Sequence, residues 1–297
     1  MKRAVKNNKT NREIARTIQR IPSRIVKESK LPAETIKNLA LLWIAVLPLP
    51  REKKYRALPF LISIWIIITD RFYESPKMPL SDLSIFQKTI KKILSGQFNG
   101  YEISTRQKSF RVSLEIFQKI YILFLKNNPS ERLLRLWKNA INDFLKAMAA
   151  ERSFSAKRPP AFAHYIKNGK KSIGSSVVFY SLCALMFSGK SSLSFQESDI
   201  IKKIVGRLSL ILRLVNDIGS FKRERQKNTP NGLIFLMKKG YSLQAAQNIF
   251  QRRIRYQMGV LKTQEKAVIK KIKPFFNATN RLLKFTLRFY ERNDYHS

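Results

Sequence analysis

Residues 213–224 read RLVNDIGSFKRE and contain a regular pattern of polar side chains. Asn216, Ser220 and Glu224 recur at every fourth position. Because an α-helix has 3.6 residues per turn, these side chains fall along one stripe about two turns long. Amide, hydroxyl and carboxylate oxygens at this spacing suit one hard divalent cation, with water and phosphate as its remaining ligands. The alternative is a helix whose scattered polar residues face solvent, and periodicity alone does not decide between the two.

The composition limits the kind of metal site that the chain can hold. One cysteine, Cys183, excludes both an intramolecular disulfide framework and a metal site built from cysteines. With His164 and His296 as the only histidines, the sequence also argues against a zinc site built from histidines. We therefore expect any bound metal to be a hard ion held by oxygen ligands.

The net charge is strongly positive, because 58 Lys and Arg residues outnumber 19 Asp and Glu residues, which gives +39. Such a surface attracts nucleic acid, anionic lipid or a polyanionic substrate, although it is also compatible with a generally solvated basic exterior. Residues 1–30 carry ten basic residues and lack the apolar segment of a secretory signal. We therefore predict a basic N-terminal arm or helix over 1–30, one helical domain over 31–297, and a cytoplasmic location. Weak association with anionic membranes is allowed, and no specific nucleic-acid partner is expected.

Helical periodicity predicts an all-α fold. The predicted helices cover 11–28, 33–47, 52–74, 80–95, 104–126, 129–153, 159–168, 172–188, 196–226, 229–239 and 242–290. The apolar runs at 39–48 and 58–69 are shorter than the ~20 residues of a transmembrane helix, so we expect them to be buried core helices. Residues 204–215 are apolar on more than one face, which is typical of a helix at the centre of a bundle.

The pattern N-D-x-x-S-x-x-x-E, preceded by R-L-x, resembles the second metal motif of microbial class I terpene synthases. The resemblance implies that Asn216, Ser220 and Glu224 bind Mg²⁺, which bridges to a substrate diphosphate, whereas Asp217 need not touch the metal. The implied fold is a single-domain helical bundle of the class I terpenoid synthase type, with a central cavity.

An aspartate-rich motif is expected on an earlier helix, and its candidate is ITDRFYE at residues 68–74. Asp70 and Glu74 are four residues apart and share a helix face. The family pattern is usually D-D-x-x-D, and here Arg71 replaces the second acid. The resemblance implies that Asp70 is the principal ligand and Glu74 the last acidic position, whereas the structural alternative is that both residues only mark a helix end.

Cations that bind the diphosphate are expected at several positions. The segment HYIKNGKKSIG at 164–174 resembles the family's Y-L-x-x-R-R-x-T-x-G, which places Lys170 at the position of the sensor arginine, 46 residues before Asn216 (216 − 170). Lysine binds phosphate as a point charge and lacks the bidentate fork of arginine. By the same resemblance the remaining diphosphate-binding residues are Arg213, Arg223, Arg288 and Tyr290.

The implied reaction is the Mg²⁺-dependent loss of pyrophosphate from farnesyl or geranylgeranyl diphosphate, followed by cyclisation to a sesqui- or diterpene. A dry aromatic cavity is needed around the resulting cation. Its predicted lining residues are Trp65, Phe72, Phe179 and Phe187. The resemblance also implies a homodimer, which is common in the family.

Three other functions stay open from the sequence. A prenyl chain-elongating synthase normally carries two aspartate-rich motifs, and here the second reads N-D-x-x-S. A non-catalytic relative is suggested by Arg71 and Lys170. A basic helical protein that binds nucleic acid or anionic membrane explains the charge and leaves the polar stripe unexplained.

Overall fold

The computed structural model describes residues 31–47, 56–75, 77–97, 108–154, 160–187, 193–267 and 270–290. Within these ranges the regular secondary structure consists of α-helices, which confirms the predicted fold class. The helix predicted at 11–28, together with the arm over 1–30, lies outside the described residues. The chain divides into two compact units, Met1–Pro129 and Ser130–Ser297. The single domain predicted over 31–297 stays a prediction.

The first unit contains four described helices: α1 (Ala33–Val46), α2 (Ala57–Glu74), α3 (Leu80–Leu94) and α4 (Lys108–Lys126). Helix α2 packs against α1 and α4, and α3 packs against α4. The apolar runs lie in α1 and α2, where Trp43 and Trp65 are fully buried. The indole of Trp43 donates a hydrogen bond to Ser63 Oγ at 3.1 Å and so joins the two helices. Among the described residues, every helix is too short or too polar to span a membrane.

The second unit contains eight described helices, and α8 lies at their centre. They are α5 (Glu131–Ser153), α6 (Phe162–Ser172), α7 (Ser175–Met186), α8 (Phe195–Gly219), α9 (Phe221–Gln226), α10 (Gly232–Lys238), α11 (Leu243–Ala267) and α12 (Lys273–Tyr290). Helix α8 packs against α6, α7, α10, α11 and α12. Its apolar segment is buried on several sides, as at Ile204, Leu208 and Ile211. The central position predicted for residues 204–215 is therefore found within this unit.

Several helix boundaries differ from the sequence prediction, and two of them have a clear physical reason. The break between α6 and α7 was predicted at Gly169, which instead lies inside α6. The chain leaves the helix at Gly174, whose φ of 68° lies in the left-handed region that glycine adopts without a Cβ clash. The helix predicted over 242–290 is divided into α11 and α12. Pro274 lies in the first turn of α12, where a missing backbone N–H costs no helical hydrogen bond.

The start of α8 is fixed by a reciprocal capping interaction. Ser194 Oγ accepts a hydrogen bond from the Glu197 backbone N–H at 3.1 Å, and Glu197 Oε2 accepts from the Ser194 N–H at 2.7 Å. Lys271 Nζ also lies 3.0 Å from Glu197 Oε2 and links the segment before α12 to this turn. The backbone hydrogen bond from Ser194, aided by Lys271, lowers the pKa of the Glu197 carboxyl.

The Ser194→Ala variant should lower the free energy of unfolding by about 1 kcal/mol, because it removes the acceptor of one amide in the first turn of α8. Gln196 is exposed in the same turn, so Gln196→Ala is the matched control and should change stability by less than about 0.5 kcal/mol. Urea unfolding followed by circular dichroism measures both variants. Equal stability of the two would show that the cap does not stabilise this helix.

Candidate metal and diphosphate site

The polar stripe keeps its helical spacing although a helix boundary crosses it. Helix α8 ends at Gly219 and α9 begins at Phe221. The backbone hydrogen bonds continue through the junction, from Ser220 N–H to Asn216 C=O at 2.8 Å and from Glu224 N–H to Ser220 C=O at 2.9 Å. Successive stripe residues are therefore about 6 Å apart along the axis, close to the spacing predicted from a continuous helix.

Ser220 is oriented so that its oxygen remains able to accept a metal. The side chain is fully buried, and its hydroxyl donates a hydrogen bond to the Asn216 carbonyl at 2.6 Å. Because a hydroxyl oxygen carries two lone pairs besides its proton, this contact leaves the acceptor side of Ser220 Oγ for a cation.

Glu224 is a buried carboxylate with incomplete charge compensation. Its Oε2 accepts a hydrogen bond from Asn231 Nδ2 at 2.7 Å, and Arg223 Nη2 lies 3.4 Å from its Oε1. Burial, followed by the charge of Asp217, raises the pKa of the Glu224 carboxyl to about 8, and nearby cations offset only part of this effect. A divalent cation beside Glu224 would therefore remove an electrostatic penalty from the folded protein.

The donor set of the stripe fits Mg²⁺ better than a softer metal. It consists of amide, hydroxyl and carboxylate oxygens, which are the ligands of hard cations. Among the described residues no group of three or more His, Cys, Asp or Glu side chains could hold a metal ion. A metal at this position would therefore use Asn216 and Ser220 together with Glu224, and would complete its coordination with water and phosphate.

Behind the stripe lies a buried network that is centred on Arg213. Arg213 Nη1 is 3.0 Å from Glu151 Oε1, and its Nε is 3.1 Å from Asp217 Oδ1. Nη1 also donates to Ser172 Oγ at 3.3 Å, and Nη2 donates to the hydroxyl of Tyr165. Burial would lower the pKa of the guanidinium, but the carboxylates of Asp217 and Glu151 raise it above its ordinary value. Arg213 therefore stays charged inside the protein.

Tyr165 and Gly232 complete the environment of Asp217. The Tyr165 hydroxyl donates to the two Asp217 carboxylate oxygens at 3.0 and 3.1 Å. The Gly232 backbone N–H donates to Asp217 Oδ2 at 3.3 Å. Burial raises the pKa of the Asp217 carboxyl to about 6, with Arg213 and Tyr165 acting in the opposite direction. Asp217 thus points into the network, away from the stripe formed by its neighbour Asn216.

Sequence reasoning assigned no role to Glu151, Tyr165 or Asn231. Tyr165 was available as a signal, because it is part of the segment that resembles the family's Y-L-x-x-R-R sequence. Asn231 lies inside the helix predicted over 229–239, and its local sequence gave no indication of a contact with Glu224. Glu151 and Arg152 fit the lead-in to that family segment, but this resemblance assigned Glu151 no contact with Arg213.

The predicted diphosphate-binding cations are not all brought to the stripe. Both terminal nitrogens of Arg213 donate hydrogen bonds within the network, whereas its Nε lies at ion-pair distance from Asp217 without a hydrogen bond. A contact of Nη1 or Nη2 with phosphate would require these contacts to exchange. Lys170 Nζ lies 3.9 Å from the position of a Cβ on Gly206. Gly206 precedes Asn216 by ten residues, or about 15 Å along α8. Burial, together with Arg253 and Arg207, lowers the pKa of Lys170. Its sensor role stays a prediction.

The other predicted site residues are distributed over both units. In the first unit Asp70 is half-buried near the end of α2, and Glu74 is exposed. The ring of Trp65 packs on Phe117 with centroids 4.8 Å apart. The ring of Phe72 packs on Phe110 with centroids 4.7 Å apart. In the second unit Phe179 and Phe187 are buried and Arg288 is exposed. The side chain of Tyr290 lies outside the described residues. The metal, diphosphate and cavity roles of these residues stay predictions.

Gly169 provides the space that the Arg213 side chain occupies. A Cβ at this position would lie 2.7 Å from Arg213 Nε and 2.9 Å from its Cδ. We expect Gly169→Ala to lower the free energy of unfolding by about 1–3 kcal/mol, because a buried side chain must move. A Cβ on Gly259 in α11 would meet open space, so Gly259→Ala should raise stability by up to about 1 kcal/mol. Opposite signs in chemical unfolding would confirm the packing constraint, and equal signs would contradict it.

Comparison with known proteins gives the family of the chain. Residues 62–259, more than half of its length, match the family described as terpene synthase family 2, C-terminal metal binding. Tricyclene synthase Oc15 from Antirrhinum majus, described as chloroplastic, is 34% identical over 121 residues, which are 40% of this chain and 20% of that protein. A second tricyclene synthase from the same plant, 0e23, is 32% identical over 131 residues, 44% of this chain and 22% of that protein. The matched region thus spans about a fifth of the length of these relatives. Because they are plant proteins, they do not support the predicted microbial subgroup.

Solved structures show the same fold. Isoprene synthase from grey poplar (Populus x canescens), in complex with three Mg²⁺ ions and dimethylallyl-S-thiolodiphosphate, superposes with a TM-score of 0.73 at 17% identity. The superposition covers 95% of this chain and 54% of that chain. A cucumene synthase variant matches with a TM-score of 0.71 at 12% identity over 96% of both chains. Together with the family match, these findings show that the chain belongs to terpene synthase family 2 and has the all-α fold of the class I terpenoid synthases.

Proposed function

We propose that this protein is a terpene synthase that ionises an isoprenyl diphosphate with the help of Mg²⁺ and cyclises the resulting cation. The observation that carries the proposal is the stripe of Asn216, Ser220 and Glu224, whose helical spacing the backbone hydrogen bonds preserve across the α8–α9 junction. Family membership supports the reaction class. The isoprene synthase structure, which holds Mg²⁺ and a diphosphate analogue, supports the metal.

Asn216, Ser220 and Glu224 would hold Mg²⁺, which would supply Lewis-acid stabilisation of the negative charge on the departing diphosphate. Ser220 and Glu224 are buried, so this charge meets fixed protein groups with little competing water. Arg223, whose Nη2 lies 3.4 Å from Glu224 Oε1, is our proposed phosphate donor within the motif. Asp70 on α2 is our proposed ligand from the aspartate-rich segment, and Arg71 reduces the number of carboxylates there from the family pattern.

The substrate class follows from the same chemistry. We propose farnesyl or geranylgeranyl diphosphate, with a sesqui- or diterpene as product. The spacing N-D-x-x-S-x-x-x-E supports the microbial subgroup and favours cyclisation over chain elongation. A cytoplasmic location and a homodimer remain part of this proposal.

A non-catalytic relative is the second candidate, and the position of Lys170 favours it. Its ammonium lies beside Gly206 rather than at the Asn216 end of α8. Such a protein would bind Mg²⁺ and diphosphate at the stripe without releasing pyrophosphate from an allylic substrate.

The test is turnover of geranyl, farnesyl and geranylgeranyl diphosphates in parallel, measured as pyrophosphate release and as extracted hydrocarbons. We expect the wild-type protein to consume one of the longer substrates. The double variant Asn216→Ala/Glu224→Ala should lose more than about 100-fold of the rate, because it removes two metal ligands. Glu265→Ala, at an exposed position on α11, is the matched control and should keep the wild-type rate. Turnover that survives the double variant would contradict the site assignment, and binding without turnover would favour the non-catalytic relative.

Metal removal gives an independent prediction. Excess EDTA should abolish turnover, and added Mg²⁺ should restore it, because the three stripe side chains are neutral or acidic and cannot themselves stabilise an anionic leaving group. The circular dichroism spectrum should stay helical throughout, since the buried network around Arg213 needs no metal. A rate that is insensitive to EDTA would exclude the proposed role of the stripe.

A further inference from the structure

Asn231 is a buried residue whose position links the stripe to α10. It lies between α9 and α10, is fully buried, and has an extended backbone with φ of −143° and ψ of 138°. Its Oδ1 accepts a hydrogen bond from the Leu233 backbone N–H at 2.8 Å. Asn231 is therefore the N-cap of α10, which is a common position for asparagine.

The amide nitrogen of Asn231 makes two further contacts that a cap does not require. Nδ2 donates to Glu224 Oε2 at 2.7 Å and to the Asp217 backbone carbonyl at 2.8 Å. Its two N–H groups are thus both used, one on a side chain of the metal stripe and one on the last turn of α8.

The orientation of the amide is determined by these partners. Rotation by 180° would place Oδ1 against a carboxylate and a carbonyl, and would place Nδ2 against the Leu233 N–H. Each new contact would join two acceptors or two donors, so only the observed orientation satisfies the site. The donor side of Asn231 is consequently fixed towards Glu224.

The contact occupies only part of the acceptor capacity of Glu224. A carboxylate offers about four lone-pair positions on two oxygens. Asn231 uses one position on Oε2, and the weaker Arg223 contact approaches Oε1 at 3.4 Å. The carboxylate is held in one orientation while further lone pairs remain for a cation. Hydrogen bonds to ligating carboxylates are a common means by which proteins fix a metal site.

We propose that Asn231 is a positioning residue for the divalent cation of the stripe, which it serves by holding the Glu224 carboxylate in its ligating orientation. This inference rests on the proposed function, because it assumes that Glu224 binds the metal. It assigns to Asn231 a role beyond the capping of α10, and it couples the start of that helix to metal affinity.

Asn231→Ser separates positioning from capping. Serine is an equally good N-cap but is too short to donate to Glu224 while it caps Leu233. We expect the affinity for Mn²⁺, measured without substrate by electron paramagnetic resonance, to fall about 10–100-fold. In turnover, the Mg²⁺ concentration at half-maximal rate should rise by a similar factor, while the rate at saturating Mg²⁺ approaches that of the wild type. Asn231→Thr, which leaves a smaller void, provides the same test if the serine variant folds poorly.

The control is Ser194→Ala, which removes a helix cap far from the stripe and should leave Mn²⁺ affinity unchanged. A purely structural role predicts that Asn231→Ser lowers stability and leaves Mn²⁺ affinity at the wild-type value, and this result would overturn the inference. Glu224→Gln distinguishes that failure from failure of the proposed function. If Glu224→Gln weakens Mn²⁺ binding and Asn231→Ser does not, only the role of Asn231 is wrong. If the wild-type protein binds no Mn²⁺, both proposals are wrong.

Discussion

Arg213 carries a permanent positive charge at a position that water does not reach, and the second unit is arranged around it. Desolvation of such an ion is unfavourable by several kcal/mol, to order of magnitude, unless nearby groups compensate it. Glu151 on α5 and Asp217 on α8 supply the negative charge at 3.0 and 3.1 Å, and Tyr165 on α6 bonds both Arg213 and Asp217. Because these groups come from three helices, Arg213 has all of these partners only when α5, α6 and α8 are assembled. The α8 face that carries the stripe is thereby fixed in rotation.

This network also explains two glycines. A Cβ on Gly169 would overlap the Arg213 side chain, and a Cβ on Gly232 would lie 2.7 Å from Asp217 Oδ2 and 2.7 Å from the Phe250 ring. Gly169 lies inside α6, where glycine is normally unfavourable, and Gly232 is the first residue of α10. Because α6 and α10 approach α8 so closely, a larger residue at either position would overlap the network. Close packing and the buried ion pairs therefore both favour glycine at these two positions.

The sequence predicted those features of the structure that depend on the spacing of nearby residues. The helices followed from apolar periodicity, and the stripe followed from three polar residues at every fourth position, which backbone hydrogen bonds preserve across the α8–α9 junction. The contacts that orient the stripe were not predictable in this way. Tyr165 and Asp217 are separated by 52 residues, and their pairing depends on how α6 packs against α8. The helix break was predicted at Gly169 because glycine usually marks an end, whereas here glycine makes room for Arg213 and the end falls at Gly174.

The motif at 213–224 contains two stripes with different tasks. Adjacent helical residues are rotated by about 100°, so Arg213 and Asp217 point into the buried network while Asn216, Ser220 and Glu224 form the proposed metal-binding stripe. The first stripe holds the helices together through contacts within the protein, and the second carries the proposed metal ligands. A chain can therefore keep the network, and with it the fold, while the catalytic groups diverge. Arg71 and Lys170 are substitutions of this kind. Structural likeness at 17% identity accordingly reports on the fold alone, and turnover must be judged from the stripe and the cations around it.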